Sequence, residues 1–549
     1  MSNSILKDII INKVYSEKVQ NIAAAADRDT KWIMDLKGQS VDKIFLENYA
    51  KEFFLQVDLL GYTKIQIGGM ESGAIPLIAA LALMDNKGII QNSFYIRKSR
   101  KKNDMANLLE GKVLNNLPVV LVDDILNRSI TFKKQIVILK DLGFDVSAIF
   151  VALRFRDLDY YTELKELNIN IISIFELNDF TVDLGVINKI ENLINTTNYK
   201  KYSLSYKTVL ARPNLYAVNP KSAPILDGQN IYMGSDDGNF FCIDKNTGAS
   251  VWSYKILFGT QGKKIFSSPV IYNDTVMFGA YDGNFYCLDK LTGKKKWIFI
   301  EADWIGSSPC VNHDKGLVYI GLEFAGIKNI GGLAAIDINT GKIIWRWYES
   351  DRYIHASPAF NTKHNMVVCG SNDNNLYAFD AASGELKWKF TTEGEIKYGS
   401  VFDDSRDIIT FGSMDGGLYI LNVKDGSLYY KFEALFGFYS TPVIYGDKII
   451  IGSLDKNIYC FDINKKIELW KYITQGRIFA SPNVDDNSIF IGSNDARLYE
   501  IDIESGKLVS VIQIAERIVN KVQIEKDENR KRVIYIPTHA CELYKFIEN

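Results

Sequence analysis

Val119-Val120-Leu121-Val122-Asp123-Asp124-Ile125-Leu126-Asn127-Arg128-Ser129-Ile130-Thr131 is the stretch that decides how the first third of the chain is read. Four consecutive aliphatic residues describe a strand buried on both faces, as in a parallel sheet. Two carboxylates follow at its carboxyl end, where open α/β sheets place their ligands. A short polar loop then leads into a helical run over 131–142, so backbone N–H groups converge on a helix start that can hold an anion. The plain alternative is a buried strand followed by a solvated pair of aspartates.

On the amino-terminal side, residues 64–68 read as a short strand, followed by a turn of Gly69, Met70, Glu71, Ser72 and Gly73 and an apolar helix over 75–84. Such a turn exposes backbone donors without Cβ obstruction and can cradle an anion, or it is a tight turn that simply needs glycine. Residues 93–96 read as another strand. Beyond it Arg97, Lys98, Ser99, Arg100, Lys101 and Lys102 form the densest cationic run of the chain. Beside a phosphate site that run can neutralise a departing pyrophosphate; alone it is a solvated basic loop. Further upstream, helices are predicted over 4–25 and 41–59, separated by residues 32–36. The second carries Ile44, Phe45, Tyr49, Phe53 and Phe54 at helical spacing, a face to pack against a sheet.

With 549 residues the chain exceeds what one core holds, so two or more domains are expected. A formal net charge of −2 gives no support to broad nucleic-acid or membrane-surface attraction. The first residues lack a long apolar core with a small-residue cleavage site, and no apolar run reaches membrane-spanning length, so a cytoplasmic protein is expected. The 6 cysteines (Cys242, Cys287, Cys310, Cys369, Cys460, Cys541) are scattered singly and read as buried thiols, not as a zinc site or disulfide framework. All 4 histidines (His313, His355, His364, His539) lie in the second half, which leaves the first domain without a histidine acid or base.

The stretch 119–131 resembles the phosphoribosyl-diphosphate (PRPP) motif of type I phosphoribosyltransferases. The resemblance implies that Asp123 and Asp124 hold the ribose hydroxyls, and that Asn127, Arg128, Ser129, Ile130 and Thr131 form the loop around the 5′-phosphate. It also implies that Gly69 to Gly73 grip the pyrophosphate. That family has glycine at the positions of Ser129 and Ile130, and Arg128 can contact phosphate through its fork of donors. Phe94 to Gly111, FYIRKSRKKNDMANLLEG, is similar to the mobile loop of the orotate phosphoribosyltransferase branch. Arg97, Lys98 and Lys101 match the loop's basic residues, while Asn103 stands where the branch has histidine and Asp104 where it has glycine. The likeness spans most of residues 25–195. It implies an α/β domain over 1–199 that holds Mg2+ with PRPP, displaces pyrophosphate by a nitrogen of a base, and forms a homodimer in which the loop closes over a neighbouring site.

The second half is a repeat. GSDDGNFFCIDKNTGASVW (234–252) recurs as GAYDGNFYCLDKLTGKKKW (279–297) and GSNDNNLYAFDAASGELKW (370–388), with degenerate copies starting at Gly412, Gly452 and Gly492 and an expanded one over 321–345. A period of roughly 40 to 48 residues is that of a four-stranded propeller blade. The copies resemble the pyrroloquinoline-quinone (PQQ)-type propeller, with Asp-x-x-Thr-Gly-x-x-x-Trp at Asp244–Trp252, Asp289–Trp297 and Asp337–Trp345. The tryptophans read as blade-to-blade packing elements, and no PQQ is expected because the chain has no vicinal cysteine pair. Residues 200–549 are expected to form eight blades, or seven, with residues 203–208 supplying the missing outer strand of the last. The insertion over 323–332 is a candidate contact for a protein partner.

The leading functional expectation is a PRPP-dependent phosphoribosyltransferase acting on a nucleobase-like small molecule, with the propeller recognising a partner or ligand. Two alternatives stand beside it: a PRPP or nucleotide sensor without turnover, in a stress or antiviral system, and a propeller scaffold.

Overall fold

The computed structural model describes residues 2–10, 15–17, 32–34, 36, 41–71, 73–97, 108–127, 129–180, 201–211, 222–257, 264–325 and 329–549. They divide into two compact units, Met1–Thr196 with Gln513–Ala515, and Thr197–Ile512 with Glu516–Asn549.

The first unit is built on a five-stranded sheet in the order Ile90–Ser93, Ile65–Gly68, Val119–Leu126, Val146–Arg154, Asn170–Glu176, and every neighbouring pair is parallel. The chain starts at the second position, steps out to the edge, then crosses back to the centre. The connections on the two sides of the Ile65–Gly68 and Val119–Leu126 pair therefore leave in opposite directions, which opens a crevice at their carboxyl ends. Val120 and Val122 pack against Phe45, Tyr49, Phe53 and Phe150 on one face, and Val119 and Leu121 against Phe132, Ile136 and Leu139 on the other. That double burial is why the strand reads as an unbroken aliphatic run.

Several expectations need correction. The strand does not end at Val122 but continues to Leu126, because Val146–Arg154 stays beside it and pairs Asp123 with Val151 and Ile125 with Leu153. Of the helix expected over 4–25, the described residues show helix over Ser2–Ile9 and a strand at Tyr15–Glu17, paired antiparallel with Trp32–Met34; residues 11–14 and 18–25 lie outside the described residues. The helix Lys43–Leu59 buries Phe45, Tyr49 and Phe53 as expected, whereas Ile44 is 53% exposed. The strand expected over 93–96 is two: Ile90–Ser93 joins the sheet, and Tyr95–Ile96 pairs antiparallel with Leu109–Glu110.

The second unit is an eight-bladed propeller, a ring of four-stranded sheets. Blades 1 to 7 span Ile225–Lys255, Val270–Ile300, Cys310–Ser350, Ala359–Thr391, Val401–Glu433, Val443–Ile473 and Asn483–Gln513 in turn. Blade 8 takes three strands from Gln523–Glu548, and its outer strand is Tyr202–Val209, paired antiparallel with Glu542–Glu548. The ring is thus closed by joining the beginning of the unit to its end, which gives blade 8 its fourth strand. From blade 2 to blade 8, consecutive first strands touch one another along the inner side of the ring.

The repeat's signature residues make the joints between blades. Asp289 Oδ1 accepts the Thr292 backbone N–H at 2.9 Å and its hydroxyl at 2.7 Å, shaping a turn that ends at Gly293 with φ +68. The Trp252 ring of the preceding blade lies on that glycine, where a Cβ would come within 2.6 Å, and its Nε1 donates to the Lys290 carbonyl at 3.2 Å. Trp297, Trp345, Trp388 and Trp470 repeat the arrangement on Gly341, Gly384, Gly426 and Gly506. Where blade 5 has Tyr430 in place of tryptophan, blade 6 has Lys466 in place of glycine. Its backbone keeps a positive φ of 59 and its ammonium lies over the Tyr430 ring. Five of the six cysteines are buried and Cys310 is half-buried.

Glu500, 1% exposed, fixes the seam. Its carboxylate accepts from Lys201 at 2.6 Å, Tyr202 at 3.1 Å, Ser488 at 3.2 Å, Ser510 at 2.5 Å and Arg532 at 3.2 Å. Burial and the Glu500 charge together push the Tyr202 hydroxyl well above its ordinary pKa, so it stays a neutral donor. Removing one partner of a buried, hydrogen-bonded charge network costs on the order of 3 kcal/mol. Glu500→Ala is therefore expected to destabilise the propeller by about that amount in urea unfolding followed by tryptophan fluorescence, and an unchanged midpoint would show that the seam does not depend on it.

Candidate functional site

The two strand ends at the crevice carry the glycine turn and the acidic pair. Gly69 packs so closely under the central strand that a Cβ would come within 2.5 Å of the Val122 carbonyl oxygen. Four residues on, a Cβ on Gly73 would stand 3.0 Å from Asp123 Oδ1 and 3.9 Å from Asp124 Oδ1. The turn and the two carboxylates thus share one small volume, and glycine is what lets them do so. Met70 is buried and bridges to Ile96, whose N–H donates to the Gly69 carbonyl at 2.7 Å while Glu71 N–H donates to the Ile96 carbonyl at 2.8 Å. These bonds tie the turn to the strand from which the basic run departs. Ser72 lies outside the described residues.

Asp123 and Asp124 are half-buried at the point where Val119–Leu126 has lost its partner on the Ile65–Gly68 side, because that pairing stops at Leu121. Asp123 Oδ1 accepts the Asp124 backbone N–H at 3.0 Å. Beneath them the buried Tyr49 hydroxyl lies 3.2 Å from the Asp123 carbonyl oxygen and 3.5 Å from that of Phe150. Burial, then the charges of Asp123 and Asp124, hold its pKa well above the ordinary tyrosine value, so Tyr49 remains a donor.

The loop after the strand leads into the helix Ile130–Asp141. Ser129 caps that helix in the left-handed region at φ 57 and is buried, and its side chain makes no capping bond, which leaves the role of accepting the first helical N–H groups to another acceptor. The positive φ that a glycine would ease falls on Ser129, while Ile130 begins the helix. Thr131 is exposed on the first turn. Asn127 accepts the Tyr161 hydroxyl through its carbonyl at 2.7 Å, and its side-chain oxygen accepts Arg156 Nε at 3.4 Å. Arg128 lies outside the described residues.

Arg97 stands at the base of the basic loop. Its N–H donates to the Leu108 carbonyl at 2.7 Å, and its guanidinium pairs with Glu110 at 2.7 Å. The two ends of the loop are thereby clipped together beside the glycine turn. Lys98 and Lys101, with Asn103, lie outside the described residues. Among the described residues no group of three His, Cys, Asp or Glu side chains is placed to hold a metal ion, and no helix is long and apolar enough to cross a membrane.

Three residues went unread as site residues in the sequence. Tyr49 reads as one more apolar position of an amphipathic helix, although a buried tyrosine hydroxyl must find an acceptor. Arg156 and Tyr161 follow the next strand, Val146–Arg154, and no motif marks them. Parallel register alone brings them to Asn127, with Leu126 opposite Arg154. The Arg156 guanidinium lies over the Tyr160 ring, 5.5 Å from its centroid, which adds a cation to the rim of the crevice.

Comparison with known proteins finds different relatives for the two parts of the chain. The first unit is similar to orotate phosphoribosyltransferase of Pyrococcus horikoshii, 27% identical over 151 residues, which are 27% of this chain and 79% of the relative. Part of the propeller is 38% identical over 87 residues to quinoprotein ethanol dehydrogenase of Pseudomonas putida; that match covers 15% of this chain and 14% of the dehydrogenase. In three dimensions the chain is similar to quinohemoprotein alcohol dehydrogenase from Comamonas testosteroni, with a TM-score of 0.54 at 14% identity over 64% of this chain and 77% of that one, a likeness of fold alone. The family model described as outer membrane protein assembly factor BamB matches residues 191–254, 206–347 and 324–511, together more than half of the chain. Through its propeller the chain belongs to that BamB family.

Proposed function

We propose that the first unit is a phosphoribosyltransferase that uses PRPP to attach 5-phosphoribose to a nitrogen of a nucleobase-like acceptor. The observation that carries this reading is the meeting of Gly73 with Asp123 and Asp124 at the sheet's switch point. Carboxylates accept hydrogen bonds from vicinal hydroxyls, the Gly69–Gly73 turn offers backbone donors to a pyrophosphate, and the start of Ile130–Asp141 suits the 5′-phosphate. Mg2+ bound to PRPP would supply charge neutralisation on the pyrophosphate oxygens. In the reaction the acceptor nitrogen forms a bond to C1 of the ribose as the C1–oxygen bond breaks and pyrophosphate departs. The chain's part is to position the two reactants and to stabilise the leaving charge, for which Lys98 and Lys101 are the candidates. The similarity to orotate phosphoribosyltransferase favours this reading, and the acceptor is proposed only at the level of a nitrogen heterocycle.

Asp123→Asn with Asp124→Asn is expected to abolish Mg-PRPP binding in calorimetry of the full chain while the propeller's unfolding transition stays in place; unchanged affinity would move the site elsewhere. Pyrophosphate release measured with a panel of bases separates a transferase from a sensor, which would bind PRPP and release nothing. Since a hydrogen bond to a charged group contributes about 1.5 to 3 kcal/mol, Lys98→Ala and Lys101→Ala should each lower turnover about 10- to 100-fold. Ser129→Gly should leave PRPP affinity intact or tighter, because glycine adopts φ 57 without strain, whereas Ser129→Val should weaken it.

A further inference from the structure

The position two residues before each blade's first strand lies on the inner side of the ring, and in most blades it carries a hydroxyl: Ser268, Ser308, Ser357, Thr441 and Ser481. Blade 1 has Ala223 there, blade 5 Gly399 and blade 8 Lys521. The hydroxyls stitch neighbouring blades together. Ser268 accepts the Ala223 N–H at 2.9 Å, Ser308 that of Ser268 at 2.9 Å, Ser357 that of Ser308 at 3.1 Å, and Ser481 that of Thr441 at 3.0 Å. A Cβ on Gly399 would come within 2.9 Å of Thr441 Oγ1, so that blade joins the same level of the ring. Ser268, Ser308, Ser357 and Thr441 are only half-buried, as befits residues beside a propeller's central channel. Their O–H groups have no acceptor among the described residues and are free to donate.

Lys521 puts an ammonium on this level in place of a hydroxyl. Its backbone is held in place, since its N–H donates to Asn520 Oδ1 at 2.7 Å and the same oxygen accepts the Tyr398 hydroxyl of the blade 5 entry at 3.1 Å. The Tyr398 phenol also meets the Ser481 hydroxyl, so groups from blades 5, 7 and 8 converge beside Lys521. The Lys521 side chain is half-buried, and its ammonium has no carboxylate or other acceptor among the described residues. Burial lowers its pKa, and no neighbouring charge opposes the shift. Glu323 and Glu395, the carboxylates that act on the blade 6 entry residue Tyr439, are already held by His355 at 2.9 Å and Lys397 at 2.7 Å. A cation drawn partly out of water without a counter-charge is costly, and an anion that reaches it through the channel offsets that cost.

We propose that the central channel of the propeller binds a small oxyanion of the phosphate class at Lys521. The ammonium supplies the charge, and the hydroxyls of the same level donate to the oxygens it leaves free. The inference uses propeller residues alone and stands whether or not the first unit turns over PRPP.

The test is trace acetylation of the full chain with acetic anhydride, quantified at each lysine by mass spectrometry, in inorganic phosphate and in chloride of equal ionic strength. At a phosphate concentration about ten times the dissociation constant, Lys521 is expected to react about 10-fold more slowly, with exposed Lys295 unchanged. Asp123→Asn with Asp124→Asn should leave that protection intact, which separates it from the first unit's site. Ribose 5-phosphate, as a second probe, tells a free anion from a phosphoryl group carried on a sugar, and protection by either supports the proposal. Lys521→Met should melt no lower than the unaltered chain in chloride, because an unpaired cation is removed, and should gain less from added phosphate. A lysine needed only for folding would instead melt lower when replaced and show no protection. Equal acetylation of Lys521 with and without both probes, or equal phosphate stabilisation of Lys521→Met and the unaltered chain, overturns the proposal.

Discussion

The candidate site of the first unit depends on one close approach, that of the glycine-bearing 69–73 turn to the carboxylates at the end of the central strand. A Cβ on Gly73 would stand 3.0 Å from Asp123 Oδ1, and a Cβ on Gly69 would strike the Val122 carbonyl oxygen. The sheet order makes this meeting possible, since the two strands are neighbours whose following connections diverge. Donor-rich backbone and acceptor-only side chains are thereby held a few ångströms apart, the complementary pair that a phosphorylated sugar requires. Tyr49 anchors the arrangement from below by donating to the carbonyl of the first acid.

The propeller solves a different problem with the same economy. A ring of sheets closes only if its ends meet, and Tyr202–Val209 supplies that meeting, with buried Glu500 drawing Lys201, Tyr202 and Arg532 to one point. Around the rest of the ring a tryptophan of one blade rests on a glycine of the next. The Tyr430 and Lys466 exchange shows that this joint is a matched pair, because the departure on one blade is answered by a departure on its neighbour.

Much of this was legible in the residues. Period-40 repetition and the Asp-x-x-Thr-Gly-x-x-x-Trp pattern identify the blades, because the Asp and Thr shape a turn, the Gly takes the positive φ, and the Trp packs on the neighbouring blade. The strand 119–122 and the glycine turn were equally readable. Less legible was what depends on tertiary partners. The central strand continues to Leu126 because its neighbour does, the segment near Tyr15 is extended because residues 32–34 pair with it, and Ile44 faces solvent although its spacing matches the buried face. Arg156 reaches Asn127 through parallel register, which no local pattern encodes.

The central proposal is that the crevice at the switch point takes PRPP, with one loop for the pyrophosphate and one for the 5′-phosphate. Amide hydrogen exchange of the full chain with and without Mg-PRPP measures this directly. Slowed exchange in both 68–74 and 125–132, with the propeller unaffected, is the result the proposal predicts. Protection in neither segment at saturating PRPP would contradict it.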